Sequence, residues 1–324
     1  MKLLLLGGTA FLGRAIATEA VARGIEVTCL ARGTSAPPSG VAFVTADRDE
    51  PDGLSSLATL HWDTVIDVSR QPGQVRQAVR ELSTDHFVFI STTSVYAYGD
   101  RLEQDESSPL LPALDGDVMT DMSTYGPAKV ACEEAVRAAS SPSTIIRPGL
   151  IGGPGDTSAR SGYYPWRFAH PTGEDVLVPD DPDFPCALID VDDLAAWTVT
   201  VAEKRITGTY NATGRTTGLA EVLDAARGAA GDQAPPPRPV PVEILRAAGV
   251  ASWMGPRSLP LWIDDPADRC GATANTDAAQ ARGLTTRPLV ETFTRVLEYE
   301  EERDVPRRAG LSDLEETELR SRLA

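Results

Sequence analysis

Positive charge is what this 324-residue chain most lacks: 30 lysines and arginines stand against 47 aspartates and glutamates, for a formal net charge of −17. A polyanionic partner needs a basic field, so neither nucleic acid nor an anionic membrane suits the molecule as a whole. Histidine is scarce, at three, and the four cysteines Cys29, Cys132, Cys186 and Cys270 are scattered without a CxxC or Cys/His cluster. No metal site is expected from that spacing, and free thiols fit a reducing, cytoplasmic setting. His61, His86 and His170 have no partner pattern and read as structural. No stretch approaches the roughly 20 apolar residues of a membrane helix, and the one leucine run is too short for the core of a secretory leader.

What is present is ample core material, 42% hydrophobic residues, and a pointed opening. Leu3 to Leu6 runs straight into Gly7-Gly8-Thr9-Ala10-Phe11-Leu12-Gly13 and then a helical pattern. A buried parallel strand reads as a continuous apolar run, and glycines at its end turn the chain so that a helix aims free N–H groups at a pyrophosphate. Ala10 stands where a middle glycine would, and its methyl narrows that approach.

Strands and helices alternate through the first half, which predicts βαβ units and a doubly wound, Rossmann-type α/β fold. Strands are expected at 3–6, 26–30, 41–45, 64–68, 87–90 and 144–146, with helices near 12–23, 52–60, 72–82 and 125–139. Beyond residue 150 the texture shifts to glycine, proline and aromatics (GGPGD, SGYYPWRF). We read 1–150 as a dinucleotide-binding domain and 151–324 mainly as a smaller substrate-binding region, some of whose elements return to the first core. There a helix from 191 to 202, a strand at 209–212 and helices at 219–230 and 289–303 are expected. The five prolines between Pro235 and Pro241 read as an extended linker.

The chemistry concentrates in two segments, Ser91-Thr92-Thr93-Ser94-Val95-Tyr96 at the end of a strand and Tyr125-Gly126-Pro127-Ala128-Lys129 at the start of a helix. Tyrosine and lysine at this spacing share one helix face, so an ammonium can stabilise a phenolate. Hydride exchange between a carbonyl and an alcohol needs a proton delivered or removed at oxygen, the role read for Tyr125. Lys129 would hold charge and a cofactor ribose, and Thr92 would hydrogen-bond the substrate oxygen. Arg147, Arg160, Tyr163, Tyr164, Trp166 and Arg167 are candidate substrate contacts, with Arg160 and Arg167 able to grip a diphosphate. Trp253, Pro260 and Trp262 suggest an apolar lid or packing beneath the C-terminal segment.

In order, GGTAFLG, DRDEPDGL, DVSRQPGQV, STTSVYAYG, YGPAK, IIRPGLIGGPGD and LIDVDDLA resemble the extended short-chain dehydrogenase/reductases, specifically the NAD-dependent epimerase/dehydratase family. The resemblance implies Thr92, Tyr125 and Lys129 as the catalytic set and Thr93 and Ser94 as substrate contacts. It implies Asp47 and Arg48 beside the adenine, Val68 and Ser69 along the cofactor, and Pro148 facing the nicotinamide. It also implies a homodimer through the helix bearing Tyr125. Thr93 and Ser94 replace the aspartate and glutamate that the family's dehydratases use, which argues against water elimination.

At the end of the second strand no carboxylate is available for a ribose 2′-hydroxyl, whereas Arg32 offers a fork for a 2′-phosphate. NADP(H) is therefore favoured over NAD(H), which stays open. The expected activity is an NAD(P)(H)-dependent oxidoreductase of secondary alcohols and ketones acting on a small, sugar-like or natural-product substrate. Two alternatives stand beside it: a nucleotide-sugar epimerase with tightly bound NAD, and a non-catalytic cofactor-binding regulator or RNA-associated protein.

Overall fold

Alternation inside the leucine run explains why it is apolar throughout. In β1 (Lys2–Leu6), Leu3 and Leu5 pack into one core while Leu4 and Leu6 pack into another, so both faces of the strand are covered. The computed structural model describes residues 1–323. It surrounds β1 with β2 (Glu26–Ala31), β3 (Ala42–Thr45), β4 (Thr64–Asp67), β5 (Phe87–Ile90), β6 (Ser143–Pro148) and β7 (Gly208–Ala212). The strands lie in the order β3-β2-β1-β4-β5-β6-β7, every neighbour parallel. This is the doubly wound sheet expected from the sequence. The order reverses between β1 and β4, which opens a crevice at the carboxyl ends of the strands.

The longer helices are α1 (Phe11–Ala22), α2 (Pro72–Glu81), α3 (Tyr125–Ala138), α4 (Tyr163–Ala169), α5 (Val191–Lys204), α6 (Leu219–Ala230), α7 (Leu289–Glu301) and α8 (Asp313–Ser321). Ile16 and Ala17 of α1 and Leu194 and Trp197 of α5 cover one face of the sheet. Val75 and Ala78 of α2 and Cys132 and Val136 of α3 cover the other. A third core gathers Tyr164, Phe168, Leu223, Trp262, Phe293 and Leu319 from the later elements. Asp190 starts α5 by accepting a hydrogen bond from the Asp192 N–H at 2.8 Å.

Four stretches differ from expectation. The helix over 52–60 shrinks to a single turn, Ser55–Ala58, and Gly53 before it is pressed so closely on the Asp47 carbonyl that a Cβ there would sit 2.1 Å from it. The proline segment is a strand rather than a linker: Pro237–Val240 pairs in parallel with Val176–Pro179. The prolines need donate nothing there, since the Val176 and Asp180 N–H groups supply bonds to the carbonyls of Pro236 and Val240. Finally, α4 and α8 arise where no helix was expected. Among the described residues no helix is long and apolar enough to cross a membrane.

Candidate active site

The turn from β1 into α1 is built on close approach. Gly7 adopts φ 99°, and a Cβ on Gly13 would stand 2.2 Å from the Gly7 carbonyl oxygen. A Cβ on Gly8 would meet the Cys29 sulfur at 2.5 Å. Burial pushes the Cys29 thiol up to about 11, with Arg14 acting the other way, so it is a neutral packing group under the loop. Ala10 is the N-cap of α1, exposed, and no side chain caps the helix or places a carboxylate in its first turn. The first-turn N–H groups, beginning at Phe11, Leu12 and Gly13, are thus open to an anion. This cradle fits a dinucleotide pyrophosphate, and Thr9, buried beside it, belongs to the same turn.

Arg32 is exposed just past β2, with no hydrogen-bond partner among the described residues. Arg14, which the sequence reading missed, sits nearby: its guanidinium donates to the Thr9 carbonyl at 3.4 Å and to the Ala36 carbonyl. Its signal was its place one residue after Gly13. Asp47 lies half-buried past β3, one carboxylate oxygen accepting the Asp49 N–H at 3.0 Å. Arg48 is corrected. Its guanidinium is buried and clamps Asp67 at 2.9 and 2.8 Å, which ties β4 to the segment after β3, while its Nε has no hydrogen-bond partner among the described residues. Val68 and Ser69 follow β4, and the Ser69 hydroxyl donates to Gln74 Oε1 at 2.7 Å.

Lys129 occupies the crossing of helix and sheet. Its ammonium is buried and donates to the carbonyls of Ser69, two residues past β4, at 2.7 Å and of Ile90, the last residue of β5, at 2.6 Å. Tyr125 opens α3 one turn earlier, half-buried, its phenol without a hydrogen-bond partner among the described residues. Thr92 caps a 3-10 turn over Thr93–Val95, its Oγ1 accepting the Ser94 N–H at 3.2 Å and donating to the Ser94 hydroxyl at 3.2 Å. Thr92, Tyr125 and Lys129 thus collect at the carboxyl edge of β5. Pro148 ends β6, buried, along the same edge.

Of the predicted substrate contacts, several are committed elsewhere. Arg147 is 1% exposed and pairs with Glu133 through two nitrogens at 2.9 and 2.7 Å, so it braces α3 against β6. Burial opposes the Glu133 charge, yet Arg147 and the Ser91 hydroxyl hold its carboxyl below the usual range. Arg167 is 3% exposed and locks α4 to α8 through Asp313 at 2.8 Å and Glu316 at 2.9 Å. Tyr163 and Tyr164 are sealed in the third core, and Trp166 stacks on His170 at 3.7 Å. Thr93 donates to the Gly271 carbonyl at 3.1 Å, so its hydroxyl anchors the segment crossing the strand ends. Trp262 is core, whereas Trp253 is half-buried with Arg160 above its ring. Arg160 and Ser94 remain free to face a ligand.

A model of the NAD dependent epimerase/dehydratase family matches residues 3–76 and 70–213. No curated sequence matches the chain. Among solved structures it resembles the UDP-N-acetylglucosamine 4-epimerase of Bacillus cereus (TM-score 0.67, 16% identity, covering 95% of this chain and 99% of that one). It also resembles the UDP-glucose 4-epimerase of Thermus thermophilus, solved with NAD (0.65, 18%, 93% and 99%). A third is TunA, an NAD dependent NDP-hexosamine 5,6-dehydratase of tunicamycin biosynthesis (0.65, 21%, 94% and 98%). At these identities the structures establish the fold, and the family match covers well over half of the sequence. The chain belongs to the NAD dependent epimerase/dehydratase family.

Proposed function

We propose that this protein is an NADP(H)-dependent oxidoreductase of secondary alcohols and ketones, acting on a small substrate with Tyr125 as its proton carrier. The observation that carries the reading is Lys129: an ammonium fixed by the carbonyls that follow β4 and end β5, one turn after Tyr125, on the edge that also holds Thr92 and opens onto the glycine turn. A bound nicotinamide dinucleotide would supply or accept the hydride. The chain's own residues do the rest. Gly7, Gly8 and Gly13 admit a pyrophosphate against the start of α1, and Lys129, with one of its three protons still free, can meet a ribose hydroxyl. Tyr125 gives or takes the proton at the substrate oxygen, and Thr92 donates to that oxygen as charge develops.

Arg32, exposed just past β2, and Arg14, whose guanidinium donates to the Ala36 carbonyl in the segment after it, support NADP(H), since a 2′-phosphate would need such cations and no carboxylate ends β2. Thr93 and Ser94 in place of two acids speak against dehydration. We also propose that the partner is a small molecule, that neither nucleic acid nor membrane binds, and that the protein forms a homodimer in the cytoplasm; sedimentation velocity checks the dimer. The second reading is an epimerase with tightly held NAD, favoured by the sugar-nucleotide epimerases among the similar structures.

Nucleotide retention separates the two. A reductase should release its dinucleotide on dialysis and bind NADPH more tightly than NADH, whereas NAD retained through dialysis and freed only on denaturation makes the protein an epimerase. Within the first reading, Tyr125→Phe should abolish turnover while the NADPH dissociation constant stays within about twofold, and Thr92→Ala should slow turnover by about 10²-fold. Full turnover by Tyr125→Phe would overturn the assignment.

A further inference from the structure

Arg160 differs from the other arginines predicted to contact substrate. Arg147 and Arg167 are neutralised by carboxylates. Arg160 has no carboxylate within ion-pair distance among the described residues: its Nε donates to the Ser158 hydroxyl at 3.0 Å and its terminal nitrogens have no partner. Asp156 is in Coulombic reach, but its carboxylate already accepts four bonds, from the N–H and hydroxyl of Ser158 (2.8 and 2.6 Å) and of Ser161 (3.2 and 2.9 Å). Burial pulls the Arg160 guanidinium below the usual arginine value, with Asp156 and Tyr125 opposing that pull. Its Cζ lies 4.7 Å from the centre of the Trp253 ring.

The backbone on both sides of this stack is unusual. Ala159 has φ 58° and Trp253 φ 70°, a region a bulky side chain enters only when its surroundings enforce it, and one that gathers at ligand clamps. A half-buried, unpaired cation on a strained aromatic shelf near Tyr125 lacks its counter-charge. The fork of nitrogens it presents matches one oxyanion in bidentate fashion.

We propose that Arg160, stacked on Trp253, receives the carboxylate or phosphate group of an anionic substrate whose reacting carbon lies at Tyr125. This rests on the oxidoreductase reading and names its substrate class. With Arg147 and Arg167 committed, one guanidinium of the predicted set serves one anionic group, and the two-arginine grip on a diphosphate expected from sequence is absent.

The test is calorimetric titration of the full-length protein with benzoate, phenyl phosphate and neutral benzamide, with and without NADPH, for the wild type, Arg160→Gln and Arg160→Lys. Benzoate or phenyl phosphate should bind the wild type more tightly than benzamide, and whichever does so identifies the anion. Arg160→Gln should weaken that anion by ten- to a hundredfold, in keeping with a lost charge-assisted pair, and leave benzamide unchanged. Arg160→Lys should fall between them. Equal affinity for anions and benzamide, or unchanged anion binding in Arg160→Gln, would overturn the proposal. NADPH binding is read separately: Arg160-dependent anion binding without NADPH binding condemns only the cofactor reading, and the reverse condemns only this one.

Discussion

At the scale of single residues, buried charge explains both what the site uses and what it withholds. Glu133 stands one turn after Lys129 on α3, 0% exposed, held by Arg147 and Ser91. Glu133→Ala strands the Arg147 guanidinium in the core, so it should destabilise the protein by about 3–5 kcal/mol in urea unfolding. Loss below about 1 kcal/mol, the range of exposed pairs, would show that the pair is solvated. His86, at the entrance of β5, is buried with its Nε2 2.9 Å from the Thr144 hydroxyl. Burial pulls it down from 6.5 to about 4, against an opposing bond to the Ile206 backbone. The unfolded chain therefore takes up a proton that the folded chain refuses. Stability from this group is complete above pH 6.5 and is lost as pH falls toward 4, by at most about 3 kcal/mol. His86→Gln should flatten urea stability across that window; an unchanged slope would exonerate the histidine. The grouping of Thr92, Tyr125 and Lys129 was legible in sequence because it follows from spacing on one helix and one strand end. The pairing of Arg147 and Arg167 was not legible, because an arginine's partner, here a carboxylate on another element, is invisible in a linear pattern.

At the scale of elements, the alternating first half was legible because the inner strands β1, β4 and β5 are apolar runs buried along their length, and each helix has a period. The later elements are short and borrow stability from neighbours. The proline strand holds because its prolines, Pro237 and Pro239, alternate with Arg238 and Val240, which keep their N–H groups for the ladder, and α8 carries a readable sign, Ser312 and Glu315 exchanging bonds at its start. Its Glu316 is 0% exposed, between Arg167 and Arg320. Arg167→Ala should therefore lower urea stability by about 3 kcal/mol, through the partly abandoned Glu316 charge, while NADPH affinity is untouched. A selective fall in substrate affinity at full stability would instead return Arg167 to the site.

At the scale of the whole molecule, β7 and α5 come from beyond residue 190 yet complete the first sheet and cover its face, so the chain crosses between its two halves and back. The segment around Gly271 then runs past the end of β5, held by Thr93. A charge of −17 spread over such a body should keep nucleic acid away. Filter binding at low salt is expected to detect no complex with single-stranded RNA, and an affinity tighter than micromolar would revive an RNA-associated role.

The sequence by itself determined the sheet, the glycine turn and the Thr–Tyr–Lys set, because each depends on hydrophobic period or on spacing within a few residues. Tertiary structure alone decided which cations are free. Pairing depends on which carboxylates fold against them, and that contact leaves Arg160 open while Arg48, Arg147 and Arg167 are held.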